Sequence, residues 1–109
     1  MTEMREGEHN PIGTELLFED DRVRVWQIVL EPGQEAGFHT HYLDYTTITL
    51  EGDVVERHNE DGTIDRNEVR PGRVGRWYQS TRRHGLRNVG AKRFRNVIVE
   101  LKDVPANFQ

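Results

Sequence analysis

Apolar and polar residues alternate along this chain in short runs, and Gly, Pro and Asn punctuate them. RVRVWQIVL, Arg22 to Leu30, sets Val23 and Val25 against Arg22 and Arg24 before turning mostly apolar, and Glu31, Pro32 and Gly33 end it. Alternation of this kind marks a strand with one buried face. A short stretch from Phe38 to Tyr42 follows, then DYTTITLEG, Asp44 to Gly52, rich in β-branched residues. DVVERH and TIDRNEV flank Asn59, Glu60, Asp61 and Gly62, the pattern of a hairpin with a glycine-containing loop. PGRVGRWYQ, HGLRNVG and KRFRNVIVELK supply the remaining strands, each bounded by turn-forming residues. No segment sustains a helical apolar period. About eight or nine short strands, closely spaced, predict an all-β sandwich or barrel.

Residues 1–13 carry Glu3, Glu6 and Glu8 and little that suits a core, so they are expected to form a tail or an arm on a partner subunit. The barrel domain is expected over 14–103, opening with Leu16, Leu17 and Phe18, and a C-terminal tail over 104–109. A length of 109 residues fits one domain, and 34% hydrophobic against 31% charged residues is polar but foldable when the apolar positions are gathered in this way. There is no cysteine, which removes disulfides, thiolate ligands and a cysteine nucleophile together. The charged start MTEMREGEHN has no leader-like apolar stretch and no run is long enough for a bilayer, so a cytoplasmic protein without a membrane partner is expected. A net charge of −4 and a pI near 5.7 argue against nucleic acid as a partner.

Five histidines are present, and two of them, His39 and His41, form an H-x-H pair in a strand-like stretch. Residues two apart on a strand face the same way, about 7 Å apart, close enough to share a metal ion. A lone pair of this kind is weak evidence, because polar barrel interiors also carry histidines. Its setting adds to it. Gly33 lies six positions before His39, Gly52 lies eleven after His41, and a later His84 is followed four residues on by Asn88. His9 and His58 read as solvated surface residues.

The segment from Gly33 to Gly52, G-QEAGF-H-T-H-YLD-Y-TTITLE-G, together with His84 and Asn88, resembles the two motifs of the cupin superfamily. ELLFEDDRVRVW and HYLDY are also similar to a group of very small cupins associated with β-alanine degradation. The resemblance implies an antiparallel jelly-roll barrel, a double-stranded β-helix, with one divalent transition metal (Fe, Zn, Ni or Mn) on His39, His41 and His84. Two features depart from the motifs. Tyr45 stands where a glutamate often supplies a fourth ligand, and Gln79 and Thr81 or Arg82 stand where proline and glycine usually precede the second histidine. Tyr45 shares the strand face of His41, so its phenol is a candidate weak ligand, proton donor or orienting group, whereas Asp44 points away unless a bulge intervenes. Cupins with three histidines and no glutamate include dioxygenases, so the resemblance permits oxygen chemistry, and isomerase-like chemistry is also open.

Charge is unevenly spread. Seven acids lie between Glu51 and Glu68, and nine of the fifteen basic residues lie between Glu68 and Glu100, where there is no acid. Pairing of acidic and basic strands accounts for most of this. An inward arginine gripping a substrate carboxylate would be compatible with it, and Arg76, Arg87 and Arg95 are the candidates. Trp26, Trp77 and Tyr78 belong to the core or the barrel rim. The expected function is a metal-dependent enzyme for a small acidic metabolite, with a homodimer as the expected assembly. A non-catalytic cupin that binds a metabolite or a metal is the alternative.

Overall fold

The computed structural model describes residues 12–78 and 82–102, and among them it forms nine strands and no helix. In chain order these are β1 (Glu15–Glu19), β2 (Val23–Leu30), β3 (Glu35–Thr40), β4 (Asp44–Glu51), β5 (Val54–Asn59), β6 (Ile64–Glu68), β7 (Val74–Trp77), β8 (Arg83–Asn88) and β9 (Phe94–Leu101). They make two sheets, β1-β2-β9-β4-β7 and β3-β8-β5-β6, with every neighbouring pair antiparallel. This is the all-β architecture the alternation predicts, in the jelly-roll form the motif resemblance implies. Because no described segment is a long apolar helix, none of this type crosses a membrane.

The expected strands appear with adjusted ends. β3 begins earlier than Phe38, since pairing with β8 already starts at Glu35 opposite Arg87. β7 begins only at Val74, because Pro71 and Gly72 occupy a turn in which Arg73 N–H donates to the Arg70 carbonyl at 3.1 Å. The Asn59–Gly62 loop is a hairpin turn as expected, with Gly62 at φ 93° and its N–H donating to the Asn59 carbonyl.

Ile28, Leu30, Val55, Phe94 and Ile98 form the core between the sheets, and Ile12 joins them at 1% exposure. Ile12 lies two residues before the expected domain start at Thr14 and packs into the core. The chain before β1 runs so close over β2 that a Cβ at Gly13 would lie 2.5 Å from the Gln27 carbonyl oxygen. Residues 1–11 and 103–109, with His9 and the C-terminal tail, lie outside the described residues.

Asn88 joins the two sheets. It is fully buried, and its amide donates to the Leu30 carbonyl at the end of β2 (2.8 Å) and to the Lys92 carbonyl (2.9 Å) while accepting from Gly90 N–H (2.9 Å). Its backbone adds two bonds to the turn before β3, with Gly33 N–H donating to Asn88 O and Asn88 N–H to Gln34 O. A buried amide satisfied at both ends is costly to truncate, because the groups it leaves behind keep their desolvation penalty. Asn88→Ala is expected to lower unfolding stability by about 2–4 kcal/mol. Urea unfolding measures this, and a loss under about 1 kcal/mol would mean that the knot is incidental.

Candidate metal centre

Three histidines meet at one end of the space between the sheets. His39 is on β3, His41 directly follows it, and His84 is on β8, in register opposite His39. Their inward aim depends on an irregularity. Ala36 pairs with Leu86 and His39 with His84, so β3 places two residues, Gly37 and Phe38, against the single residue Gly85. In a regular strand Ala36 and His39 would face opposite ways; the extra residue of the bulge turns His39 and His41 to the side where Ala36 packs on the core. Phe38 lies on the other face directly over Gly85, where a Cβ would be 2.7 Å from its ring. That close approach holds β3 on β8 in this register.

His39 and His41 are each 4% exposed, and the Nε2 atoms of the two rings are 3.1 Å apart. The ligating nitrogens of all three residues lie within 4.8 Å of one another. His39 Nδ1 is 3.3 Å from the Gly37 carbonyl oxygen, a long hydrogen bond that keeps the proton on Nδ1 and leaves Nε2 as a bare lone pair. Burial lowers His39 and His84 to about 4, helped at His39 by His84 and at His84 by Arg57. Burial lowers His41 to about 2, with both neighbouring histidines adding to the effect. All three imidazoles are therefore neutral at physiological pH. Neutral nitrogens converging without an acid among them suit a cation, and a spacing of ~3 Å is what two nitrogens at about 2.0–2.1 Å from one metal require. The donor set fits a divalent transition metal and does not choose among Fe, Zn, Ni and Mn.

Tyr45, at the start of β4, lies flat on His41, ring centroids 3.8 Å apart and planes 14° from parallel. Trp77 continues the stack at 6.4 Å from Tyr45 and donates its indole N–H to Thr47 Oγ1 at 3.1 Å. Burial pushes the Tyr45 phenol up to about 12, with Arg57 acting in the opposite direction, so it is a hydrogen-bond donor at neutral pH and not a base. His41 Nδ1 is buried without a hydrogen-bond partner. Ring stacking thus holds His41 where a hydrogen bond ordinarily orients a metal-binding imidazole.

The histidines line a cavity of about 920 Å³ that also contains Tyr45, Thr47, Thr49, Asn96 and four arginines. The arginines are Arg57, Arg66, Arg70 and Arg73, and not the three expected from sequence. Arg76 lies between the inward Gly75 and Trp77 of β7 and is exposed, its guanidinium 5.9 Å from the Tyr78 ring. Arg87 sits on the outer face of β8 between Leu86 and Asn88, opposite Glu35 and Glu56. Arg95 lies outside on β9, its Nε donating to Gln27 Oε1 at 3.3 Å. The structure brings none of the three to the histidines, because each has the wrong strand parity. Arg57 was missed although DVVERH carries a signal for it: it is two residues from Val55 and so shares that residue's inward face. Arg57 also pairs with Asp65 at 3.1 Å.

Asp44 is not among the cavity residues, and the irregularity of β4 falls between Thr49 and Glu51. His58 is on the outer side of β5, 3.1 Å from Glu56 Oε1. Gln79 and Thr81 lie outside the described residues.

Solved structures share this architecture. A cupin domain from Bordetella pertussis superposes with a TM-score of 0.73 at 22% identity, over 81% of this chain and 90% of that one. An RmlC-like cupin with a double-stranded β-helix fold from Methanocaldococcus jannaschii matches with a TM-score of 0.66 at 15% identity, over 93% and 89%. The DMSP lyase DddQ of Ruegeria pomeroyi matches with 0.57 at 20% identity, over 80% of this chain and 42% of the longer enzyme. The fold is thereby that of the cupins. No protein-family model and no curated protein matches the sequence.

Two outcomes are expected of this geometry. In metal-free protein the unfolded chain takes up protons on these histidines near 6.5, whereas the folded chain resists until about 4 at His39 and His84 and lower at His41. The unfolded state binds more protons across that window, so stability is full above 6.5 and falls as pH drops towards 4. Thermal melts from pH 7 to 4.5 should show a decline of several degrees that His39→Gln/His84→Gln reduces; an equal decline in the variant would refute the assignment. Secondly, Tyr45→Phe should keep metal affinity, and Tyr45→Ala should weaken it by about tenfold or more, read by competition with a chromogenic chelator. Loss of the metal in Tyr45→Phe would make the phenol a ligand instead.

Proposed function

We propose that this chain is a metal-dependent enzyme acting on a small carboxylate metabolite. The observation that carries the proposal is the meeting of three neutral imidazoles, two buried and one partly buried, with the Arg57 guanidinium on the wall of a single cavity. His39, His41 and His84 would hold one divalent transition metal, and three protein ligands leave positions for substrate. When bound, such an ion supplies Lewis-acid polarisation of substrate oxygens, or oxygen chemistry if it is iron.

The chain's own residues would do the remaining work. Arg57 faces the site from β5 and offers a fork of donors to a substrate carboxylate. Asp65 shares that guanidinium and holds it in place, at the cost of part of its charge. Tyr45 stays protonated and so would donate a hydrogen bond or a proton to substrate, while its ring keeps His41 in position. Trp77 and Tyr45 form an aromatic wall beside the site.

Elemental mass spectrometry of the purified protein tests the proposal, with His39→Ala/His84→Ala as the comparison. About one equivalent of a transition metal, lost in the variant, is the expected result. Iron would direct the search to dioxygenase substrates, and zinc, nickel or manganese to isomerisation or hydrolysis. Absence of metal in both proteins, even after reconstitution, would overturn the enzyme proposal in favour of a non-catalytic binding role.

A further inference from the structure

The cavity has a second charged end. Between β6 and β7 the sequence Arg70-Pro71-Gly72-Arg73 closes a β-turn, with Arg73 N–H donating to the Arg70 carbonyl at 3.1 Å and Gly72 at φ 90°. Proline followed by a left-handed glycine is the requirement of a type II turn, which brings its first and last residues within about 7 Å. The turn therefore sets two arginines side by side, and both line the cavity that holds the histidines.

The turn is also anchored. Gly72 N–H donates to the Thr49 carbonyl at 2.7 Å, Thr49 N–H donates to the Arg73 carbonyl at 3.0 Å, and Val69 N–H just before the turn donates to the Asp53 carbonyl at 2.8 Å. Backbone positions fixed in this way reduce the ordering cost of gripping an anion. Among the described residues neither guanidinium has an ion-pair partner, although the chain has more acids than bases. The acids on the same cavity wall are Asp65, which Arg57 engages, and Glu68.

The two ends are well separated. Tyr45 marks the histidine end of β4 and Thr49, four residues on, holds the turn, so the ends lie about 13 Å apart along the strand, less the reach of the arginine side chains. A single carboxylate is much shorter than that backbone separation.

We propose that the Arg70–Arg73 turn is a subsite for a second anionic group, and that the ligand of this cavity is an extended molecule with an anion at each end. The far group is a carboxylate or a phosphate, both of which suit paired guanidinium forks. Thr47, Thr49 and Asn96 line the wall between the ends and would face the middle of such a molecule. This deepens the proposed function and rests on it for the metal-bound end only.

Calorimetric titration of the zinc-loaded full chain tests it with matched probes. Succinate, adipate and suberate are compared with butyrate, hexanoate and octanoate, and 6-phosphogluconate with gluconate. At least one dianion should bind roughly tenfold more tightly than its monoanionic partner. Arg70→Gln/Arg73→Gln should abolish that gap while zinc content stays unchanged, and Glu68→Gln should widen it. The pair with the larger gap identifies the far group as carboxylate or phosphate. Equal affinities in every pair, or a gap that survives Arg70→Gln/Arg73→Gln, would overturn the subsite. In His39→Ala/His84→Ala both members of a pair should weaken with the gap retained, which separates failure of the metal end from failure of the arginine end.

Discussion

The fold hangs on the buried amide of Asn88. Among the described residues the two sheets meet over a modest core of six buried apolar side chains, and such a core leaves little margin for misplacing one sheet on the other. Asn88 removes that freedom by binding the last carbonyl of β2 in one sheet from the end of β8 in the other. Its backbone bonds to Gly33 and Gln34 also fix the turn from which β3 departs. His84 is four residues earlier on the same strand, so the residue that ties the sheets together also sets where the third imidazole stands.

The second constraint is the bulge on β3. A strand alternates strictly, and Ala36 is committed to the core, so without an extra residue His39 and His41 would face outward. The bulge resolves the conflict, and Phe38 over Gly85 locks it from the far side. The result is three imidazoles turned inward between the sheets, two buried and one partly buried. Burial keeps them neutral, and neutral imidazoles are the form that can bind a metal. Stability and chemistry oppose each other here, because the buried His41 Nδ1 goes without a hydrogen bond and its orientation is left to the Tyr45 ring.

The cavity also shows where charge is useful. The outward arginines of β7, β8 and β9 serve the surface, as Arg95 does in binding Gln27. Arg57 faces the histidines, and Arg70 and Arg73 sit on a turn braced against β4. This division matches the proposed metal end and the proposed anion end of the cavity.

Alternation and turn residues were enough to mark out about eight or nine strands, the hairpin at Asn59–Gly62 and an all-β sandwich or barrel, because strand period and turn chemistry are local properties of the chain. The spacing of His39, His41, His84 and Asn88 was likewise legible as a pattern. Which arginine faces inward was legible only in part: the alternation of DVVERH marks Arg57, whereas FRNVIVEL is apolar on both faces and says nothing of Arg95. The place of Ile12 in the core, the bulge between Ala36 and His39, and the stack of Tyr45 on His41 were decided by tertiary structure alone. Each depends on what another strand presents across the barrel, and no run of neighbouring residues carries that information.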